Sequence, residues 1–231
     1  MPAFDLGLLA AGQYRDWLVH GFVLSLEITA ITWVLALPLA AAIALLRISP
    51  SQLLQSIGSV YVEGIRNVPL LAHLLFWYFG APELLPEPVK LWLYAGNIEV
   101  ASAVVGLTLY ASAYMAEDIR SGIQSIPRVQ FEAGRALGFG FLATMRRVIL
   151  PQAVRVTVPP LISQTLNLWK DTSIATVIGV GELMYQAAKV ESATFRSNEA
   201  FGFATAAYLT VSLVITGIGS WVNHRWPVRT A

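Results

Sequence analysis

Cysteine is absent from this chain, histidine occurs three times, and only 13% of the residues are charged. Without cysteine there is no disulfide framework and no thiol nucleophile. The three histidines (His20, His73 and His224) stand far apart, and no H-E-x-x-H occurs, so a zinc-protease site has no ligands. No G-x-x-x-x-G-K-[ST] occurs, so this chain does not hold ATP in a P-loop. The charged fraction is near half the roughly 25% of soluble domains, and the net charge is +1. A disordered chain and a nucleic-acid binder are both excluded. What is abundant is apolar: 56% of 231 residues are hydrophobic.

Those residues are gathered into runs. His20 to Leu46 is 27 residues with one acid, Glu27. Asn67 to Pro82 is 16 residues with His73 as its only titratable group. Val100 to Ala116 gives 17 uncharged residues, and Ala200 to Val222 gives 23. Val156 to Trp169 is 14 residues, and Thr172 to Gly181 adds 10 after Lys170-Asp171. About 20 apolar residues cross a bilayer. A soluble helical protein would instead show a polar face at helical spacing. The runs predict an all-α, polytopic membrane protein with five spans at about 20–46, 59–82, 98–118, 155–180 and 200–222. The second span takes Glu63 and Arg66 into the headgroup zone or the bundle, and the fourth is a broken segment. The first run is too long for a cleaved signal peptide and is read as a retained helix.

Lysine and arginine set the orientation. Arg47, Arg66, Arg120, Arg128, Arg135, Arg146, Arg147, Arg155, Arg225 and Arg229 fall on one side, against Arg15, Lys90, Lys170, Lys189 and Arg196. The richer side is cytoplasmic. The expected layout is an external segment 1–19, a transmembrane domain 20–224 with a cytoplasmic loop 119–152, and a cytoplasmic tail 225–231. Glu117-Asp118 is the only adjacent acid pair, and a capping or salt-bridging role with Arg120 suits it better than catalysis. His73 is expected as a hydrogen-bonded core histidine. The chain reads as a non-catalytic subunit with no cofactor of its own.

The 119–152 loop is more than a linker. In Phe131-Glu132-Ala133-Gly134-Arg135-Ala136-Leu137-Gly138, helical spacing makes Glu132 and Arg135 neighbours, and Gly134 with Gly138 a smooth patch open to a partner. Gly138-Phe139-Gly140 breaks that helix, and a second amphipathic segment from Phe141 to Leu150 stops at Pro151. The bland alternative is a surface hairpin that merely connects two spans.

This stretch resembles the EAA loop of ABC importer permeases: Glu-Ala-Ala, three residues, Gly, nine residues, Ile, any residue, Leu-Pro. Here it reads Glu132-Ala133-Gly134, Arg135-Ala136-Leu137, Gly138, nine residues, then Val148-Ile149-Leu150-Pro151. Gly134 and Val148 depart from the pattern and the spacing is intact. The likeness runs from about His20 to Trp226. Lys170-Asp171-Thr172-Ser173 with Ile178-Gly179 and Glu182-Leu183 is similar to the fourth-span region of polar amino acid importers. Arg66-Asn67-Val68-Pro69, followed by Pro82-Glu83-Leu84-Leu85-Pro86, is similar to permeases of glutamate/aspartate importers.

The resemblance implies a permease subunit in the cell inner membrane. It would pair with a second permease, two cytoplasmic ATPases that carry ATP and Mg, and an external substrate-binding protein, in lipid and without nucleic acid. Phe131, Glu132, Ala133, Gly134, Ala136, Leu137, Gly138, Leu150 and Pro151 would couple to the ATPase. Pro151, Pro159 and Pro160 would serve as gate or hinge, unless they only punctuate helix ends. Arg66, Lys170, Asp171, Thr172, Ser173 and Glu63 are the candidates for the substrate path, since charge inside a span is costly and marks function. Internal ion pairing, such as Glu63 with Arg66, is the competing role. Glutamate or aspartate is the expected cargo, with another polar or basic amino acid as the alternative. A stand-alone secondary transporter would need an inverted repeat, which is not evident. Segments 81–99 and 182–198 are expected to meet the binding protein, and Trp92 and Tyr94 read as interfacial anchors.

Overall fold

The computed structural model describes Gly7 and residues 12–226, and among the described residues the regular structure is entirely helical. Three helices are long and apolar enough to cross a membrane. They are α1 (Gly12–Arg47), α5 (Ile98–Gln124) and α10 (Ser197–Arg225). Between α1 and α5 lie α2 (Gln52–Arg66), α3 (Leu70–Leu75) and α4 (Glu87–Ala95). Between α5 and α10 lie α6 (Arg128–Ala136), α7 (Phe141–Thr144), α8 (Leu150–Asp171) and α9 (Leu183–Thr194).

The bundle is built on α1 against α5, its most extensive pairing. Small residues make this possible. On α1 the buried positions Gly21, Ser25, Ile28, Thr32, Ala36, Ala40 and Ile43 recur three or four apart. On α5, Ser102, Ala103, Gly106, Ala113 and Ala116 do the same work. With lipid as apolar as leucine, helices associate through close backbone approach at such positions. Leu107, Met115, Leu74 and Leu168 fill the space between the stripes.

The observed bounds revise several expectations. α1 begins at Gly12, so residues 12–19 of the expected external segment are helical. The rest of that segment, apart from Gly7, and the tail beyond Trp226 with Arg229 lie outside the described residues. The 59–82 run is not one helix: α2 ends at Arg66 and α3 starts at Leu70. Val68-Pro69 explains the break, because the residue before a proline is pushed out of the helical region. Pro69 also lacks the amide that would answer the Ile65 carbonyl. The His73 imidazole Nε2 bonds that carbonyl instead, at 3.0 Å. His73 is thus the hydrogen-bonded core histidine its surroundings called for.

After α3 the chain widens into a π-helical turn, Phe76–Gly80, then tightens into a 3-10 turn, Ala81–Leu84. The same widening recurs at Met145–Ile149, immediately before α8. In both places a proline, Pro82 or Pro151, follows two residues after the wide turn. A proline ring clashes with the carbonyl four residues back, and a wider turn moves that carbonyl away. Pro151 therefore does not stop the second amphipathic segment. The helical run continues across it from Phe141 to Asp171, by way of the π-turn. Pro159 and Pro160 likewise do not interrupt α8, which runs through them. They remove only the bonds to the Arg155 and Val156 carbonyls.

The expected helix break at Lys170-Asp171 is a tightening into a 3-10 helix, Thr172–Ile178. Helix ends only at Gly179, whose φ is 86°. The following segment, 182–198, is mostly helical as α9. Its start is fixed by Glu182, a fully buried carboxylate. Glu182 accepts from the amides of Met184 and Tyr185 at 3.0 and 2.9 Å, as a helix N-cap. It also accepts from Ser25 at 3.3 Å, from Tyr208 at 2.8 Å and from Thr176. One side chain thereby ties α1, the 3-10 helix, α9 and α10 together.

Glu182→Ala is expected to leave those donors buried and unanswered, costing on the order of 3 kcal/mol or more. Glu182→Gln keeps one acceptor oxygen and should cost less. Thermal unfolding of the purified chain in detergent checks this, and an Ala variant that melts with the parent chain contradicts the account.

Candidate functional site

Two constellations stand out, one at a helical hairpin and one between α5 and α8. In the hairpin, α6 ends in a left-handed residue, Gly138, with φ of 80°. The Gly138 amide bonds Arg135 O at 2.9 Å, and Phe139 N bonds Gly134 O at 3.1 Å. This closes the last carbonyls of α6 as a glycine C-cap does. The chain then reverses at Gly140 into α7, and the Arg147 guanidinium lies 5.4 Å from the centre of the Phe139 ring.

Gly134 does not share an open patch with Gly138. It is buried, facing α7, and a Cβ there would stand 2.6 Å from Thr144 Cγ2. Its role is internal: it lets α6 lie on α7. This explains why Gly134 departs from the alanine of the EAA pattern, because Thr144 fills the space. Glu132 and Arg135 form no ion pair with each other and both are exposed. The hairpin also exposes Val129, Leu137, Phe141 and, 80% exposed, Leu142. Phe131 is half-buried against the cluster of Ile123, Ile126, Ile149 and Ala153. Ala133 and Ala136 are exposed, as is Pro151, with Leu150 partly so. The sequence reading missed Phe141 and Leu142, although two adjacent apolar residues opening a short amphipathic turn were visible.

Charge ties the helices that flank the hairpin to the rest of the bundle. Glu117, on α5, accepts from Arg120 one turn away and from Arg47 at the end of α1. Asp118 accepts from Gln164 of α8 at 2.9 Å. The acid pair is therefore a brace across three helices.

The second constellation is a cavity of about 220 Å³. α5 contributes Leu107, Tyr110, Ala111 and Tyr114, and α8 contributes Gln164, Asn167, Leu168 and Asp171. Each set follows helical spacing, so each is one stripe on one helix face. Tyr110 and Tyr114 hydroxyls are 3.2 Å apart. The His73 ring meets Tyr110 edge-on at 5.8 Å, and the Arg66 guanidinium lies 5.0 Å from the Tyr114 ring centre. The cavity is smaller than the roughly 300–1,000 Å³ of drug-sized sites and suits a small polar solute.

Of the expected path residues, Asp171 lines this cavity, and Arg66 lies outside the lining but stacks on Tyr114, which belongs to it. Glu63 is exposed and makes no ion pair with Arg66. Lys170 is exposed and outside the lining. Thr172 is buried and donates to Trp169 O at 2.9 Å, while Ser173 donates to Lys170 O at 2.7 Å. Neither is left with a free hydroxyl by a helix break, since the 3-10 turn supplies local acceptors. Tyr110, Tyr114, Gln164 and Asn167 were missed. The helical spacing of Gln164, Asn167 and Asp171, three and four apart, was the signal for those on α8.

The profile of the family described as the binding-protein-dependent transport system inner membrane component matches residues 6–227. The chain belongs to this family. It is 35% identical over 216 residues to the glutamate/aspartate import permease protein GltJ of Escherichia coli (strain K12), covering 92% of this chain and 88% of that protein. It is 37% identical over 204 residues to the probable glutamine ABC transporter permease protein GlnM of Bacillus subtilis (strain 168), with 88% of each covered. Among solved structures, an amino acid ABC transporter with histidines matches at a TM-score of 0.84 and 30% identity, over 97% of this chain and 100% of that one. The MetNI methionine ABC transporter in inward-facing form shares the fold, with a TM-score of 0.73 at 18% identity over 95% and 100%. The chain is accordingly an inner membrane transport component.

Gly134→Ala should destabilise the hairpin by about 1–3 kcal/mol through overpacking against Thr144. Thr144→Ala should recover much of that loss in the double variant, because the clashing Cγ2 and Oγ1 are then gone. Thermal unfolding of the four proteins closes the cycle. Additive losses would show that the two residues do not oppose each other.

Proposed function

We propose that this chain is one permease subunit of an ATP-driven amino acid importer, and that its cargo is glutamate or aspartate. The observation that carries the amino acid reading is a carboxylate in the wall of one small cavity with a guanidinium behind that wall. Asp171 lines the cavity and can answer an α-ammonium, and Arg66, stacked on the lining residue Tyr114, can answer a carboxylate if that ring turns aside. Tyrosine hydroxyls, Asn167 and Gln164 supply neutral partners between them. Support for the acidic cargo is the resemblance of the Arg66-to-Pro69 stretch and the name of the relative from Escherichia coli. The Asp171 carboxylate also favours a second reading, a neutral or basic polar amino acid, and the relative from Bacillus subtilis is named for glutamine.

In this reading five segments cross the membrane, with the N-terminus outside and the C-terminus inside. The arginine-rich hairpin is then cytoplasmic, and its exposed Leu137, Phe141 and Leu142 with Glu132 form the face that meets an ATPase. The chain itself hydrolyses nothing. A second permease would close the open side of the cavity, two ATPases would drive alternating access, and an external binding protein would deliver cargo.

Two measurements test this. In the assembled transporter in liposomes, Asp171→Asn and Arg66→Gln should each lower substrate-stimulated ATPase roughly tenfold or more, the worth of one charge-assisted bond. Lys170→Met, outside the lining, should cost far less, and equal losses in all three would refute the cavity as the path. Separately, an ATPase should co-purify with the parent chain and be lost when Glu132 and Gly138 are both replaced by alanine. Titrating glutamate, aspartate, glutamine and arginine against the cognate binding protein decides the cargo.

A further inference from the structure

Between the 3-10 turn at Ala81–Leu84 and α5, the helix α4 stands out because none of its residues is buried. It is not held by a core. Lys90 Nζ pairs with Glu83 at 2.5 Å, and the Tyr94 hydroxyl donates to Glu83 at 3.2 Å. The Lys90 ammonium beside it holds the Glu83 carboxyl below its ordinary pKa. The polar arc of Glu87, Lys90 and Tyr94 is therefore largely answered within this stretch. At 3.6 residues per turn, the remaining arc of roughly 160° carries Pro88, Val89, Leu91, Trp92 and Ala95. Trp92 is 75% exposed and Leu91 65%. Leu84, just upstream, is 78% exposed.

Two neighbours fix the depth of this apolar arc. Only Gly96 and Asn97 separate α4 from α5, a helix apolar enough to cross a membrane. On the other side the aromatic turn Phe76–Gly80, with exposed Phe76 and Phe79, leads into it through the short 3-10 turn and Leu85-Pro86. Both ends are thus tied to the membrane boundary. The exposed arc carries no charge, and its one donor is the Trp92 indole N–H, which suits an anchor between acyl chains and headgroups. We infer that α4 is an interfacial helix that lies in the headgroup region of the outer leaflet, with Leu91 and Trp92 seated among acyl chains and lipid rather than protein as its covering surface. Tyr94, whose hydroxyl is committed to Glu83, is not one of the anchors. The choice of leaflet rests on the proposed orientation, and the contact with lipid does not depend on the cargo.

The chain has no cysteine, so single labels can be placed without removing any. Leu91→Cys, Trp92→Cys and Glu87→Cys would each carry an environment-sensitive fluorophore in the assembled transporter in lipid nanodiscs. At 91 and 92, spin-labelled phospholipid should remove more than about half of the emission, and the spectrum should shift to the blue. The label at 87 should show neither effect. A label at 92 that ignores the lipid quencher overturns the inference, whether it stays in water or is shielded only when binding protein is added. Retained ATPase activity in the labelled transporter shows that a negative result falls on α4 and not on the transport reading.

Discussion

A backbone that leaves the helix inside a membrane protein must find its hydrogen bonds in protein, because lipid supplies none. The fold depends on how this constraint is met at the break between the 3-10 helix and α9. There the Glu182 carboxylate does for the chain what water does elsewhere: it caps the amides that start α9 and receives hydroxyls from two other helices. A charge this deep is tolerated only with such a full set of donors. The smaller break before α3 is met in the same way, by one histidine in place of one missing amide.

These breaks lie where the polar groups of the cavity are. Arg66 is the last residue of α2, immediately before the Pro69 interruption, and Asp171 is the last residue of α8, immediately before the 3-10 turn. A charge at a helix end, such as Arg66, has a place to stand that a mid-helix charge in lipid lacks. Asp171 instead stands where the helix tightens, eight residues before it ends at Gly179. Tyr110 and Tyr114 come from uninterrupted α5, and they supply the fixed wall against which those ends are placed.

The membrane class and the positions of the three unbroken apolar helices were legible because length and apolarity act over twenty residues or more. So was the hairpin, because glycine at 138 and glutamate at 132 mark local events. Pro69 announced its break, yet the His73 repair needs the fold to bring the ring back to Ile65. Pro151 did not end its segment, because a proline tells only what its own residue cannot do, and the π-turn upstream moves the crowded carbonyl away. Glu182 was visible only as a family residue. Nothing local says that Ser25 and Tyr208, far away in the chain, will donate to it. Gly134 was read as open because its neighbour, Thr144, lies across a turn.

The hairpin and the cavity are joined by one element. α8 has 22 residues and spans about 33 Å at 1.5 Å per residue. Its first turn carries Leu150 and Pro151, beside the hairpin, and its last residue is Asp171, in the cavity. It stays helical through Pro159-Pro160. Asp118 grips it at Gln164, one turn before the cavity's own Asn167 and Leu168. Glu117, next to that grip, is held by Arg47 and Arg120. One helix thus has the hairpin at its first turn and the cavity at its last, with its side-chain bond to Asp118 at a residue that itself lines the cavity.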